Sequence, residues 1–332
     1  MTSPTPLMAV RPTRQPEAPP IIDAPPGDPG GWATAHREEL RTTVTRYGAA
    51  LVRGLGLSTP DEVAAVADGL GAAPMVEREA LATRRTYRPG VYSSADWPPQ
   101  QRMCMHHESS YTLPCPSLLL IGCLTAPGTG GETGIADAAA VLDALPEQLV
   151  RRFETEGWLL TRAYQDEIGA TLGQAFGTEN PGEVAAYCGA HAIETEWRDG
   201  GGLRTRQRRP AVVRHPADGR RCWFNQVAFL NEWTLDPEVR EYLIEMYGAD
   251  GLPFTTRYGG GDPIDEETVR LINAAYAEHT VLRPWRSGNL LVLDNLRSAH
   301  SREAYEGPRD VVVVPADPVR LSAPAPTIRD SR

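Results

Sequence analysis

The spacing of apolar residues changes several times along this chain. Residues 48–54 form a short, mostly apolar run closed by glycine at each end, the mark of a buried strand. Runs at 118–123, 211–214, 289–293 and 311–314 have the same character. Helical spacing is read instead over 31–47, 146–153 and 265–279. A further helix opens after Ser58 and Thr59, where the hydroxyls or Asp61 can cap the first turn and Pro60 fits inside it. Strands dominate the second half. The pattern predicts a mostly β fold with peripheral helices, built as a sandwich or barrel.

The two ends read differently. Residues 1–30 hold nine prolines and little apolar periodicity, so a flexible tail is expected there, with a short strand around 20–23 as the exception. Residues 318–332 are read as a second tail, which leaves 31–317 as a single domain. No linker or repeat interrupts that span.

Composition narrows the function. The 332 residues carry 33 basic and 43 acidic side chains, a net charge of −10, which disfavours nucleic acid as a partner. Every basic residue is arginine, so chemistry that needs a lysine amine is excluded, including an internal Schiff base or a phosphate-loop lysine. Five cysteines, with irregular spacing and no paired motif, read as reduced thiols rather than zinc ligands or disulfides. The longest apolar run, 118–124, is too short to cross a membrane, and no apolar leader follows Met1. A cytoplasmic protein is expected.

The densest polar cluster is His106-His107-Glu108-Ser109-Ser110. In an extended segment His106 and Glu108 share one side and His107 takes the other. An imidazole and a carboxylate on one side supply two ligands to a metal ion. A third must come from elsewhere, and His300 is the best candidate, because it follows one strand-like run and precedes another. Two histidines and a carboxylate on one face of an octahedron leave three open positions, the arrangement of non-haem Fe(II) oxygenases. The H-x-E spacing alone is weak. It is also not the helical H-E-x-x-H of zinc proteases, whose second histidine would fall at Tyr111.

Five ordered stretches make the chain resemble the taurine dioxygenase-like family of Fe(II)/2-oxoglutarate oxygenases, and within it the amino-acid hydroxylases of the syringomycin-pathway type. They are His106 to Tyr111; Gly130-Gly131-Glu132-Thr133-Gly134-Ile135-Ala136-Asp137; Trp223-Phe224-Asn225-Gln226 after His215-Pro216; the stretch from Trp285 to Asn295 that leads to His300; and Tyr305-Glu306-Gly307-Pro308-Arg309. The match runs over 45–315. It implies a double-stranded β-helix core of the jelly-roll, cupin-like kind. It also implies Fe(II) on His106, Glu108 and His300, with Arg309 and Thr133 on the distal carboxylate of 2-oxoglutarate and O2 as the other cosubstrate. Arg302 competes with Arg309 for that carboxylate. Asn225 is either a residue at the substrate rim or a strand residue tied to backbone, and His107 either touches substrate or packs. Asp294 and Asn295 are read as a turn, or as support that aims His300. Relatives usually carry glycine where this chain has Ser301, which leaves the shape of the substrate pocket open. Glu108 argues against halogenation, which in such relatives goes with a small residue at the carboxylate position.

The resemblance implies hydroxylation of an unactivated C–H bond, coupled to conversion of 2-oxoglutarate into succinate and CO2. Desaturation, cyclisation and epoxidation stay open as outcomes. So do two more distant readings, a binding protein without turnover and a zinc hydrolase. The expected substrate is amino-acid-like, either free or presented on a carrier protein or peptide in a natural-product pathway. Arg257 and Arg302 could receive its carboxylate, and a basic patch over 204–209 could dock a carrier.

Overall fold

A computed structural model describes residues 18–164, 169–198, 202–248 and 251–324. Two antiparallel sheets face each other. The larger has seven strands in the order Ile21–Asp23, Ala49–Arg53, Leu290–Asp294, Pro114–Thr125, Asp310–Arg320, Val91–Ser93 and Thr86–Arg88. Only its first pair runs parallel. The smaller sheet orders Thr280–Arg283, Thr133–Asp137, Ser298–Arg302 and Met103–His106.

Alternation explains why both faces of the large sheet are apolar. Ala49, Leu51, Leu119, Ile121, Leu291, Leu293, Val311 and Val313 point inward and pack with Ile135 of the small sheet. The residues between them, such as Ala50, Val52, Leu120, Val292 and Val312, point outward onto Leu40, Val44, Val63 and Val66 of two covering helices. Each fully buried Leu or Val contributes about 1.5–3 kcal/mol relative to exposure, so this double burial holds the central layer firmly. The outer face of the small sheet, through Met105, Ala136 and Ala299, meets a third layer that includes Phe153, Trp158, Trp223 and Tyr276.

Several expected elements shift. The helix read over 31–47 is two helices, Pro29–Ala35 and Arg37–Tyr47, broken at His36. His36 leaves helical geometry (φ −110°, ψ 16°), and its ring takes the Trp32 carbonyl through Nδ1 at 2.9 Å. The helix Pro60–Gly69 is capped by Thr59 and Glu62 in a reciprocal box rather than by Asp61. The short strand expected around 20–23 is present as Ile21–Asp23 and pairs with Ala49–Arg53 in the main sheet; residues 1–17 lie outside the described residues. The boundary expected at 317 falls inside the strand Asp310–Arg320, whose Val319 and Arg320 pair with Cys115 and Pro114.

All five cysteines are unbridged. Burial pushes the Cys115 and Cys222 thiols up to about 12, so neither supplies a thiolate near neutrality. No described helix is long and apolar enough to cross a membrane.

Candidate active site

The small sheet aims its inward side chains at the centre of the fold. In the Ser298–Arg302 strand, Ser298, His300 and Arg302 share the inner face, while Ala299 packs outward. His300 stands directly opposite His106 in the ladder. The next pair is Arg302 with Met103, so the Met103–His106 strand holds one extra residue there. That bulge keeps both Met103 and His106 on the cavity side.

Glu108 arrives two residues after His106, on a turn that includes Ser109 at φ 52°. Asn295 fixes this turn. Its Oδ1 accepts from the Glu108 N–H at 2.8 Å, and its Nδ2 donates to the Glu108 carbonyl at 2.9 Å and to the Pro116 carbonyl at 2.8 Å. The ligating atoms of His106, Glu108 and His300 all lie within 4.8 Å of one another, and all three residues are buried. His106 donates from Nδ1 to the Cys104 carbonyl at 2.9 Å, which leaves Nε2 as its open lone pair. His300 Nε2 sits 3.8 Å from Glu108 Oε2.

Electrostatics favours neutral imidazoles here. Burial lowers the His106 pKa, and burial together with His106, His107 and Arg84 holds His300 well below the ordinary value. Both rings are therefore in the form that binds metal. The other oxygen of Glu108 receives Arg84 Nη2 at 2.6 Å. Burial works against the Arg84 charge, but Glu108 and Glu77 outweigh it and keep the guanidinium protonated. Two neutral nitrogens and one carboxylate, converging in a buried pocket with a fixed histidine tautomer, fit a divalent first-row metal such as Fe(II).

Two cavities meet at this triad. The first lies between the sheets and is lined by Arg302, Arg309, Thr133 and Ser94 beside Ile121, Val311 and Val313. Arg309 donates to Ser94 Oγ at 3.2 Å, while its Nε is buried without a partner. No carboxylate pairs with Arg309 or Arg302 among the described residues. Burial and the neighbouring Arg302 lower the Arg309 pKa, as expected where a cationic pair awaits an anion. Thr133 Oγ1 accepts from Trp285 Nε1 at 2.9 Å, which leaves its proton available to donate. Arg302 is the more committed arginine, because its guanidinium donates to the carbonyls of Trp97, Pro98 and Gln101.

The second cavity, beyond Arg84 and Ala95, is mostly apolar, with Leu81, Trp97, Tyr111, Phe229, Leu230 and Phe254 around the polar Glu77 and Gln226. The irregular segment that carries Glu77, Leu81 and Arg84 is pinned at Glu79. This residue is fully buried, and its carboxylate accepts from Gln207 and Tyr187. Arg162 donates to the carbonyls of Glu79 and Ala80.

The remaining expected site residues fall elsewhere. Asn225 lines neither cavity: its Nδ2 donates to the Ala211 carbonyl and its Oδ1 accepts from the Val227 N–H, so the amide is consumed by a turn. His107 is fully buried away from both cavities, donating to the Asn295 carbonyl at 2.6 Å and packing on Phe224. Burial lowers its pKa to about 4, so it is a neutral brace. Asn295 steadies Glu108 rather than His300. Arg257 stands on the opposite face of the strand Phe254–Tyr258 from Phe254, away from the cavity. Alternation splits the 204–209 patch: Arg206 is exposed beside the half-buried Arg208, and Arg204 and Arg209 are drawn into pairings. Arg209 is 0% exposed and donates to the carbonyls of Tyr111 and His191, while Arg204 faces Glu196 at 3.9 Å. Arg84, Glu77 and Gln226 had no assigned role in the sequence, although Gln226 is the neighbour of the asparagine that was chosen.

The family model for the taurine catabolism dioxygenase TauD, TfdA family matches residues 9–314. The dapdiamide synthesis protein DdaC of Enterobacter agglomerans is 33% identical over 280 residues, covering 84% of this chain and 85% of that protein. A clavaminate synthase-like protein of Arabidopsis thaliana is 26% identical over 287 residues, with 82% of each chain covered. Among solved structures, PvcB of Pseudomonas aeruginosa aligns with a TM-score of 0.52 at 17% identity over 96% of this chain and 97% of that one. A taurine dioxygenase of Burkholderia xenovorans aligns with a TM-score of 0.50 at 16% identity over 98% and 97%. The chain belongs to the TauD/TfdA family. It is an oxygenase of the class that uses Fe(II) and 2-oxoglutarate, as the motifs implied.

Proposed function

We propose that this protein hydroxylates an unactivated C–H bond of an amino-acid-type substrate in a natural-product pathway, at an iron held by His106, Glu108 and His300. The observation that carries the reading is the position of that triad. A buried Arg302 and a half-buried Arg309 without a carboxylate lie on one side, and an apolar chamber lies on the other. In this reading Arg309 takes the distal carboxylate of 2-oxoglutarate through its planar fork, Thr133 adds a hydroxyl donor, and Arg302 contributes charge while holding the 97–101 segment. Bound iron supplies the activation of O2, driven by conversion of 2-oxoglutarate to succinate and CO2. The chain's own part is to orient both reactants and to keep water out with Ile121, Val311, Val313 and Phe229. Glu108 fills the position that a chloride would need, which supports hydroxylation over halogenation.

The two facing sheets support a double-stranded β-helix core, with 31–317 as its catalytic body and the strand at 21–23 and the last residues, 318–320, of the strand Asp310–Arg320 as additions. A cytoplasmic setting is consistent with five unbridged cysteines. DdaC, named for dapdiamide synthesis, supports a biosynthetic role, and a free, carrier-bound or peptidyl amino acid is the substrate to try first. The test mixes anaerobic protein with Fe(II), 2-oxoglutarate and candidate substrates, then admits O2. Substrate-stimulated succinate with a product heavier by one oxygen is expected. A product lighter by two hydrogens would replace hydroxylation with desaturation or ring closure. Absence of stimulated succinate across free, carrier-bound and peptidyl panels would overturn the reading.

A further inference from the structure

Gln226 is 3% exposed and lines the apolar cavity beside the triad. Its two amide ends are treated differently by the fold. Nε2 donates to the His107 carbonyl at 2.7 Å, whereas Oε1 is buried with no hydrogen-bond partner. A buried acceptor left unsatisfied is costly, and such groups in folded proteins are nearly always satisfied by something. The surrounding Leu81, Phe229, Leu230 and Phe254 offer no donor side chain, and the donors that do line the chamber, Trp97 Nε1 and the Tyr111 hydroxyl, make no hydrogen bond to Oε1. Glu77 shares the cavity, and Arg84, the only arginine lining it among the described residues, is already divided between Glu77 at 3.7 Å and Glu108 at 2.6 Å. Gln226 Oε1 and the Glu77 carboxylate are therefore acceptors that a ligand in this chamber can reach.

We infer that Gln226 is the specificity-determining residue of this chamber, reading an N–H group on the substrate through Oε1, with Glu77 as the second acceptor. This rests on the oxygenase reading above and narrows it: the substrate carries an amine or amide nitrogen at the end that enters the chamber, and an apolar portion that packs on Phe229 and Phe254. A substrate lacking that nitrogen leaves Oε1 unsatisfied and is discriminated against, in the way a site built for a hydrogen bond rejects the analogue without it.

Calorimetry on anaerobic, Fe(II)-loaded full-length protein tests this. 2-Oxoglutarate is titrated first, which checks the oxygenase reading separately. The probes are then the twenty L-amino acids, their primary amides, and the matching acids with the α-nitrogen removed. Nitrogen-bearing probes should bind at least about tenfold tighter than their nitrogen-free partners. Gln226→Met and Gln226→Glu both lose the donor to His107, but only the second keeps an acceptor. Gln226→Met should abolish the preference while Gln226→Glu retains it, with 2-oxoglutarate affinity unchanged in both. Glu77→Gln separates the sources, weakening an ammonium ligand and sparing an amide. Equal binding of paired probes, binding by no nitrogen-bearing probe, or equal loss in both Gln226 variants would overturn the assignment while normal 2-oxoglutarate binding left the oxygenase reading standing. Failure of 2-oxoglutarate to bind the wild type would remove both.

Discussion

The Asn295 amide pairs with both the N–H and the C=O of Glu108, so one fully buried side chain closes the turn that presents the carboxylate. The two residues are 187 positions apart, and the pairing joins the end of one sheet to the metal-binding segment of the other. Replacing Asn295 with Leu leaves the Glu108 N–H and the Glu108 and Pro116 carbonyls without partners. A loss on the order of 3–5 kcal/mol in chemical denaturation is expected. Fe(II) affinity should fall with it, since the carboxylate would no longer be held. An Asn295→Leu protein with wild-type denaturation and wild-type Fe(II) affinity would show that the turn holds itself.

The two inward arginines should separate in their effects. Arg309→Met should weaken 2-oxoglutarate roughly 100-fold, because it removes a buried charged donor fork, and should leave Fe(II) binding within a few-fold. Arg302→Met should instead lower stability, because three carbonyls of the 97–101 segment lose their donor. Titration of 2-oxoglutarate beside thermal melting reads both. The reverse pattern would hand the keto acid to Arg302.

Ser301 depends on the absence of a side chain at Gly134. A Cβ on Gly134 would meet Ser301 Oγ at 2.4 Å and Met105 Cε at 2.8 Å. Gly134→Ala should therefore destabilise by about 1–3 kcal/mol, and Ser301→Gly in the same chain should restore part of that loss. A double-mutant cycle with no coupling energy would show that Met105 alone makes the conflict.

His215 should make stability depend on pH. Its Nε2 donates to Asp294 Oδ2 at 2.8 Å, with Asp218 at 3.5 Å from Nδ1. The hydrogen bond to Asp294 raises the imidazole pKa above its ordinary value, despite burial and the nearby Arg297 charge. A folded pKa above the unfolded one gives stability that is fully present below the unfolded value and lost as pH rises through the folded one. The stability gap between wild type and His215→Asn should thus narrow as pH rises from about 6 to about 8. A gap that widens over that range would refute the sign.

The cluster of His106, Glu108 and His300 was legible in the sequence because its chemistry is local in type: histidine and carboxylate two residues apart, and a third histidine between two strand-like runs. Strand positions were legible for the same reason, since 118–123 and 311–314 carry enough apolar residues to mark a layer buried on both faces. What escaped were partnerships between distant residues. Nothing near Asn225 shows that Ala211 and Val227 use up its amide, or that the adjacent Gln226 is the residue left with an open acceptor. Arg209 looked like surface charge because clustered arginines usually are; only the fold supplies the carbonyls of Tyr111 and His191 that draw it inside. Arg84 sits in an irregular segment with no periodicity to flag it, and its meaning appears only when Glu108 is brought against it.

The ladder that sets His300 against His106 also constrains how this chain can diverge. Only three residues separate the strand ending at Asp294 from the one beginning at Ser298. One residue gained or lost in that connector would shift the second strand by half its repeat, bringing Ala299 or Ser301 respectively to the centre and sending the imidazole into oil. Composition there can drift where contacts allow, but length cannot, and homologues that differ in length at this point should be suspected of having abandoned the chemistry altogether.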